Sequence, residues 1–149
     1  MQRYILNRPT RVVEPVNSIN IFDYLEYRSF LRDYYERRKL CDSKFSYRYF
    51  ALQAGINSSG MYANVVQGRK KLTPRSMEQF AKGLDLNFRE KEYFALMVDY
   101  TNQQNSQIKD EILQKMMSYK PVPFQRLYQK HREFYSHWSY VAVHQALEV

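Results

Sequence analysis

Cysteine, glycine and proline are all scarce in this chain: one, four and five among 149 residues. A single thiol, Cys41, can form no intrachain disulfide and no cysteine-based zinc site, so a reducing compartment, the cytoplasm, is the expected home. So few turn-formers also argue against sandwiches and barrels, which need a turn about every 8 to 12 residues. Long hydrophobic runs are missing too. Phe94 to Val98 is the longest stretch in the middle of the chain, far short of the roughly 20 residues that span a membrane. The opening MQRYILNRPTRVVEPVNSIN has no apolar core of the length an export signal requires.

Acidic residues are the remaining shortage. Lys and Arg number 23 against 15 Asp and Glu, a net charge of +8, which makes a polyanion the better guess at a partner. The shortage is local: Ser43 to Met77 contains Lys44, Arg48, Arg69, Lys70, Lys71 and Arg75 and no acid at all. Such a block is either a solvated face or a surface for something anionic.

What is present is helical periodicity. Tyr27, Phe30, Leu31, Tyr34 and Tyr35 share one face of a helix predicted from about Asp23 to Lys39, with Arg28, Arg32, Asp33, Glu36 and Arg37 on the other. Ser46 is a good N-cap for a second helix, where Tyr47, Phe50, Ala51 and Ala54 form the stripe and Gly55 the stop. A third, short helix is predicted from about Ser58 to Gln67, capped by Asn57 or Ser58, with Gly68 placed for a left-handed stop. Gly60 falls inside it, at a cost of about 1 kcal/mol relative to alanine. Thr73 and Pro74 open a fourth helix that buries Met77, Phe80, Ala81 and Leu84. Asn87, with Glu90 as capping-box partner, opens a fifth that buries Tyr93, Leu96, Met97 and Tyr100. The polar TNQQNSQ after Tyr100 reads as a linker into a sixth helix, where Ile108, Ile112 and Met116 make a narrow stripe that ends before Pro121 and Pro123.

The second and third helices have the features of a DNA-reading helix pair. A glycine turn sets two short helices at a steep angle, and a small residue, Ala51, sits four before the glycine where they cross. Phe50, Ile56, Tyr62 and Val65 can fill the wedge. The third helix then offers Ser58, Ser59, Ala63, Asn64 and Gln67 to the major groove, with Asn64 and Gln67 best able to read adenine. Either Met61 or Tyr62 can face the core, since each has an apolar partner four residues on; an outward Tyr62 joins the contact residues. Arg69, Lys70 and Lys71 follow the stop and suit the phosphate backbone, as do Lys44, Arg48 and Asn57.

These residues also carry a resemblance. Five helices in this order, with AGINSSGMYANVVQGRKKLTPRSMEQFAKGLDL, resemble the lambda-repressor-like (Cro/repressor type) helix-turn-helix domains. More narrowly, IFDYLEYRSFLRDYYERRK (21–39), FSYRYFALQAGINSS (45–59), VVQGRKKLT (65–73), EYFALMV (92–98) and FYSHWSYVAVHQAL (134–147) resemble a bacterial family of regulators described in Fibrobacter and Bdellovibrio and carrying a DUF4423 region. The resemblance implies a transcriptional regulator that binds operator DNA through its N-terminal domain. Members it resembles are longer, so 124–149 is expected to be the start of a truncated C-terminal regulatory or oligomerisation region.

The expected fold is thus all-α: a five-helix helix-turn-helix domain over 21–102, preceded by a flexible basic arm (1–20, with Arg3, Arg8 and Arg11) and followed by a connecting helix (103–123). No spacing of carboxylates, nucleophiles or phosphate-cradling glycines suggests an enzyme. His131, His137 and His144 lack an i, i+4 pair, so no metal or other cofactor is expected. The expected partners are duplex DNA and a second copy of the chain, through 105–118 or the segment around Trp138. A protein-interaction module on the same scaffold is the main alternative, and an RNA binder the second.

Overall fold

The computed structural model describes residues 19–120 together with Gln129, Lys130 and Arg132. The arm over 1–18, the proline pair, the three histidines and the Trp138 segment lie outside the described residues. Those described are all-helical: α1 (Tyr27–Cys41), α2 (Tyr47–Ala54), α3 (Met61–Val66), α4 (Pro74–Gly83), α5 (Phe88–Asn102) and α6 (Ser106–Ser118), with a short 3-10 turn at Ile21–Asp23. No strand occurs among them, and none of these helices is long and apolar enough to cross a membrane.

The described residues pack as two units, one over Arg28–Leu84 and the other from Ile21–Tyr27 with 85–120. This differs from the division expected at residue 102, because α5 and α6 pack on each other and take the 3-10 turn with them.

In the first unit the centre of each expected stripe is buried, Phe30 and Leu31 on α1, Phe50, Ala51 and Ala54 on α2, Phe80 and Ala81 on α4, while Tyr34, Tyr35, Tyr47 and Met77 at the stripe edges are half-buried. The caps are local and form as their residue types dictate. Ser46 Oγ accepts the Tyr49 amide, and Thr73 and Ser76 make a reciprocal capping box with Pro74 behind it. The contact between α2 and α4 turns on Gly83. A Cβ there would stand 2.8 Å from the Ala54 Cβ and 2.8 and 2.9 Å from two Phe50 ring atoms, so the helices touch only because position 83 has no side chain. Gln79 adds a hydrogen bond from Nε2 to the Gly55 carbonyl at 2.6 Å.

In the second unit Asn87 and Glu90 form the expected capping box. Tyr93, Phe94, Met97 and Val98 of α5 are buried, as are Met116 and Met117 of α6, whereas Leu96 and Tyr100, expected on the buried stripe of α5, are half-buried, so the buried face is rotated toward Phe94 and Val98. The Tyr93 hydroxyl donates to the Tyr24 carbonyl at 2.7 Å, with the Phe22 carbonyl 3.4 Å away. Burial and then the nearby Asp23 push this phenol up to about 12. The same bond explains why α1 starts at Tyr27 and not near Asp23: residues 21–26 are drawn onto α5 and leave the helical path. Arg89 caps this corner, its guanidinium 5.2 Å from the Phe22 ring centroid and 5.6 Å from that of Tyr119. The polar linker expected over 101–107 shrinks to Gln103–Asn105. Thr101 Oγ1 donates to the Met97 carbonyl within α5, and Asn105 is the N-cap of α6, accepting from the Gln107 and Ile108 amides.

Gly83→Ala should therefore lower stability by about 1–2 kcal/mol even after the helix-propensity gain of about 1 kcal/mol is subtracted. Gly60→Ala, whose added Cβ meets only Asn64 Nδ2 at 3.8 Å, should stay within roughly 0.5 kcal/mol of the parent. Urea midpoints of the two variants provide the check, and equal midpoints would remove the close approach as the reason α4 packs where it does.

Candidate nucleic-acid interface

The segment from Ser46 to Lys71 begins with eight helical residues of α2 and stops at Gly55, which takes the left-handed conformation at φ 68°. Two amides close the end: Ile56 donates to the Ala51 carbonyl at 2.8 Å and Gly55 to that of Leu52 at 3.3 Å. Only a residue without Cβ adopts this turn cheaply, so the stop read from Gly55 has a backbone cause.

The third helix is shorter than its sequence suggests. It spans Met61–Val66, with Gly60 at the N-cap and no side-chain cap, so Asn57, Ser58 and Ser59 belong to the preceding turn, and all three are exposed. Gly60 therefore sits at the helix boundary, where the penalty for an interior glycine does not apply. Six residues cannot hold a helix in water by themselves. What holds this one is Tyr62.

Tyr62 corrects the candidate reading list. Its ring is 2% exposed and lies among Tyr35, Tyr47, Phe50 and Phe80, with centroids 4.6 to 5.7 Å away. Its hydroxyl donates to the Leu31 carbonyl of α1 at 2.6 Å. A phenol so placed is unavailable to any outside partner. The ambiguity between Met61 and Tyr62 is resolved by this carbonyl, which gives a phenol a buried partner that a thioether could not use. Burial first, then the neighbouring Tyr34, Tyr47 and Tyr35, raise the Tyr62 pKa well above the usual 10.0.

With Tyr62 and Val65 buried, helical geometry turns Ala63, Asn64 and Gln67 to the opposite face. Gln67 is exposed, while Ala63 and Asn64 are partly so. The side-chain amides of Asn64 and Gln67 have no hydrogen-bond partner among the described residues. The helix then ends as Gly68 requires, at φ 76°. The Asn64 carbonyl accepts the amides of both Arg69 and Lys70, at 2.9 and 3.1 Å, while the Gly68 amide donates to Val65 at 3.1 Å. The basic residues are thereby fixed to the last turn of the helix that carries Asn64.

Arg69, Lys70 and Lys71 are all exposed, as are Lys44 and Arg48. None of the five forms an ion pair among the described residues. Lys44 and Arg48 lie at the N-terminal end of α2, about 12 Å along the helix from its Gly55 end. The structure thus brings Asn64, Gln67 and the 69–71 bases together at the end of α3, while Lys44 and Arg48 belong to a different element, the start of α2.

One residue of this segment's support was not singled out by its pattern. Arg28, read as part of the charged face of α1, donates from Nε to the Val65 carbonyl at 3.1 Å and is partly buried. Its only signal is position, at the seam between the charged face and the Tyr27, Leu31 stripe. Against family models, curated proteins and solved structures, the chain shows no match.

Tyr62→Phe should cost about 1 kcal/mol, because it removes the buried hydrogen bond to the Leu31 carbonyl. It should also change the alkaline limb of stability. A tyrosine ionises near pH 10 when unfolded but resists when buried, so between those values the unfolded state holds fewer protons and stability falls as pH rises. Melting temperatures from pH 8 upward should hold steady to about pH 10 and then drop. The drop should be shallower in Tyr62→Phe; superimposable slopes would show that this hydroxyl does not titrate with unfolding.

Proposed function

We propose that this chain is a sequence-specific duplex DNA binder acting in transcription regulation, with the helix-turn-helix of a lambda-repressor-type domain carried by α2 and α3 of the first unit, and belonging with the DUF4423-bearing regulators it resembles. One observation carries the reading: an exposed face of α3 with two uncommitted amide side chains runs directly into an acid-free basic turn hydrogen-bonded to the same helix. In this reading α3 lies in a major groove about 12 Å wide. Asn64 and Gln67 meet base edges, helped by Ser58, Ser59 and Ala63. Arg69, Lys70 and Lys71 lie on phosphates after the helix, and Lys44, Arg48 and Asn57 meet the backbone elsewhere.

A short reading helix makes few base contacts, so the protein acts as a dimer, each copy reading a half-site. The α6 helix, where Ile108 is 44% exposed, is the surface for that contact. The activity is binding and not catalysis, in a cytoplasmic setting. A second reading is favoured by α2, where Tyr49 and Leu52 are 40% and 75% exposed: a protein-docking module that does not bind DNA.

Fluorescence anisotropy with a fragment of the protein's own promoter and a scrambled duplex separates the two. DNA binding should weaken linearly in log affinity against log salt, by about 0.9 per phosphate neutralised. Arg69→Glu with Lys70→Glu should abolish binding to every duplex. Asn64→Ala or Gln67→Ala should mainly lower the preference for the native fragment, by about 1–3 kcal/mol of discrimination. Equal losses on both duplexes from both sets of variants would dismiss this division of roles, and no binding by a folded parent would favour the protein-docking reading.

A further inference from the structure

The basic turn after α3 poses a mechanical problem. It places three cations side by side, with no acid paired to them, on a turn of four residues after a six-residue helix. Mutual repulsion favours any rearrangement that spreads them. The amides of Arg69 and Lys70 resist through the Asn64 carbonyl, and that of Gly68 through the Val65 carbonyl. The remaining restraint comes from α1. Arg28 reaches from that helix to the Val65 carbonyl, and its Nε would stand 3.9 Å from a Cβ placed on Gly68, so the guanidinium lies directly against the turn's left-handed residue.

A cation is the wrong sign to steady three other cations by charge. It is the right group to steady the C-terminal end of a helix, where the last carbonyls carry the negative end of the peptide dipoles. A planar guanidinium also fixes direction as an ammonium does not. We propose that Arg28 is a positioning residue for the basic turn: it holds Gly68–Lys71 in the arrangement that meets a polyanionic backbone, without touching that backbone itself. This rests on the reading of α3 and its turn as a duplex DNA contact surface. If the turn is competent in only a fraction of molecules without Arg28, apparent affinity falls by that fraction, equally for every sequence.

Arg28→Met keeps the aliphatic stem and removes both charge and donor, whereas Arg28→Lys keeps the charge and removes the planar geometry. Each should weaken binding to native and scrambled duplexes about tenfold, with the parent's salt slope retained. Amide hydrogen exchange at Arg69 and Lys70 in the free protein should quicken in both. A Lys variant that binds like the parent would overturn the proposal, since charge alone would then suffice. A slope shallower by about 0.9 in Arg28→Met would overturn it too, by making Arg28 a phosphate contact. Unchanged exchange would do the same. If circular dichroism shows Arg28→Met to be unfolded, Arg28→Lys carries the test. If the parent binds no duplex, the DNA reading fails by itself, and the exchange rates still decide whether Arg28 holds the turn.

Discussion

The arrangement of the first unit depends on a buried hydrogen bond between a phenol and a backbone carbonyl, Tyr62 Oη to Leu31. The carbonyl belongs to the middle of a helix and already has its intrahelical duty; the hydroxyl uses its second lone pair. That gives the polar end of a large aromatic side chain a place inside the core, where it would otherwise cost the full penalty of desolvation. The ring then does what an aromatic ring does best, meeting four others at stacked and edge-on angles. Because the bond has one geometry, α3 has one rotation about its axis. Everything the helix shows on its other side follows from it.

Local signals in the sequence translated into structure wherever a backbone group could be satisfied by a near neighbour. Ser46, Thr73 and Asn87 each accept the amide three positions on, and Gly55 and Gly68 end helices by adopting positive φ. These need no knowledge of the rest of the chain. The buried sides of α1, α2 and α4 were legible for a similar reason, since periodicity marks a face, whereas on α5 Phe94 and Val98 are buried beside Tyr93 and Met97 in place of the expected Leu96 and Tyr100. The failures are non-local. Nothing within α3 says whether Met61 or Tyr62 turns inward, because the deciding carbonyl is 31 residues away. The 3-10 turn at Ile21–Asp23 breaks a promising helix through Tyr93, some 70 residues on. Arg28 looks like any surface arginine until the carbonyl it serves is in place.

Charge and packing are separated in the first unit. Its core is aromatic and aliphatic, its tethers are hydrogen bonds to carbonyls, and the bases of the acid-free segment take no part in ion pairs among the described residues. A chain that used those bases for its own stability would have matched them with carboxylates. Here they raise the self-repulsion of the folded state, and a polyanion would lower it. The fold therefore supports its own basic surface without drawing stability from it, and exchanging those side chains should leave the scaffold intact.

The contact of Gly83 with Ala54 and Phe50 makes three positions share one volume. A methyl group gained at 83 has to be given up at 54, and part of a ring at 50, or the helices must separate. Related sequences that fold in this way are thus bound to change these positions together. A bulky residue in the last turn of α4 would be matched by a smaller pair on α2, a covariation that arises from packing alone and would be easily mistaken for a functional link.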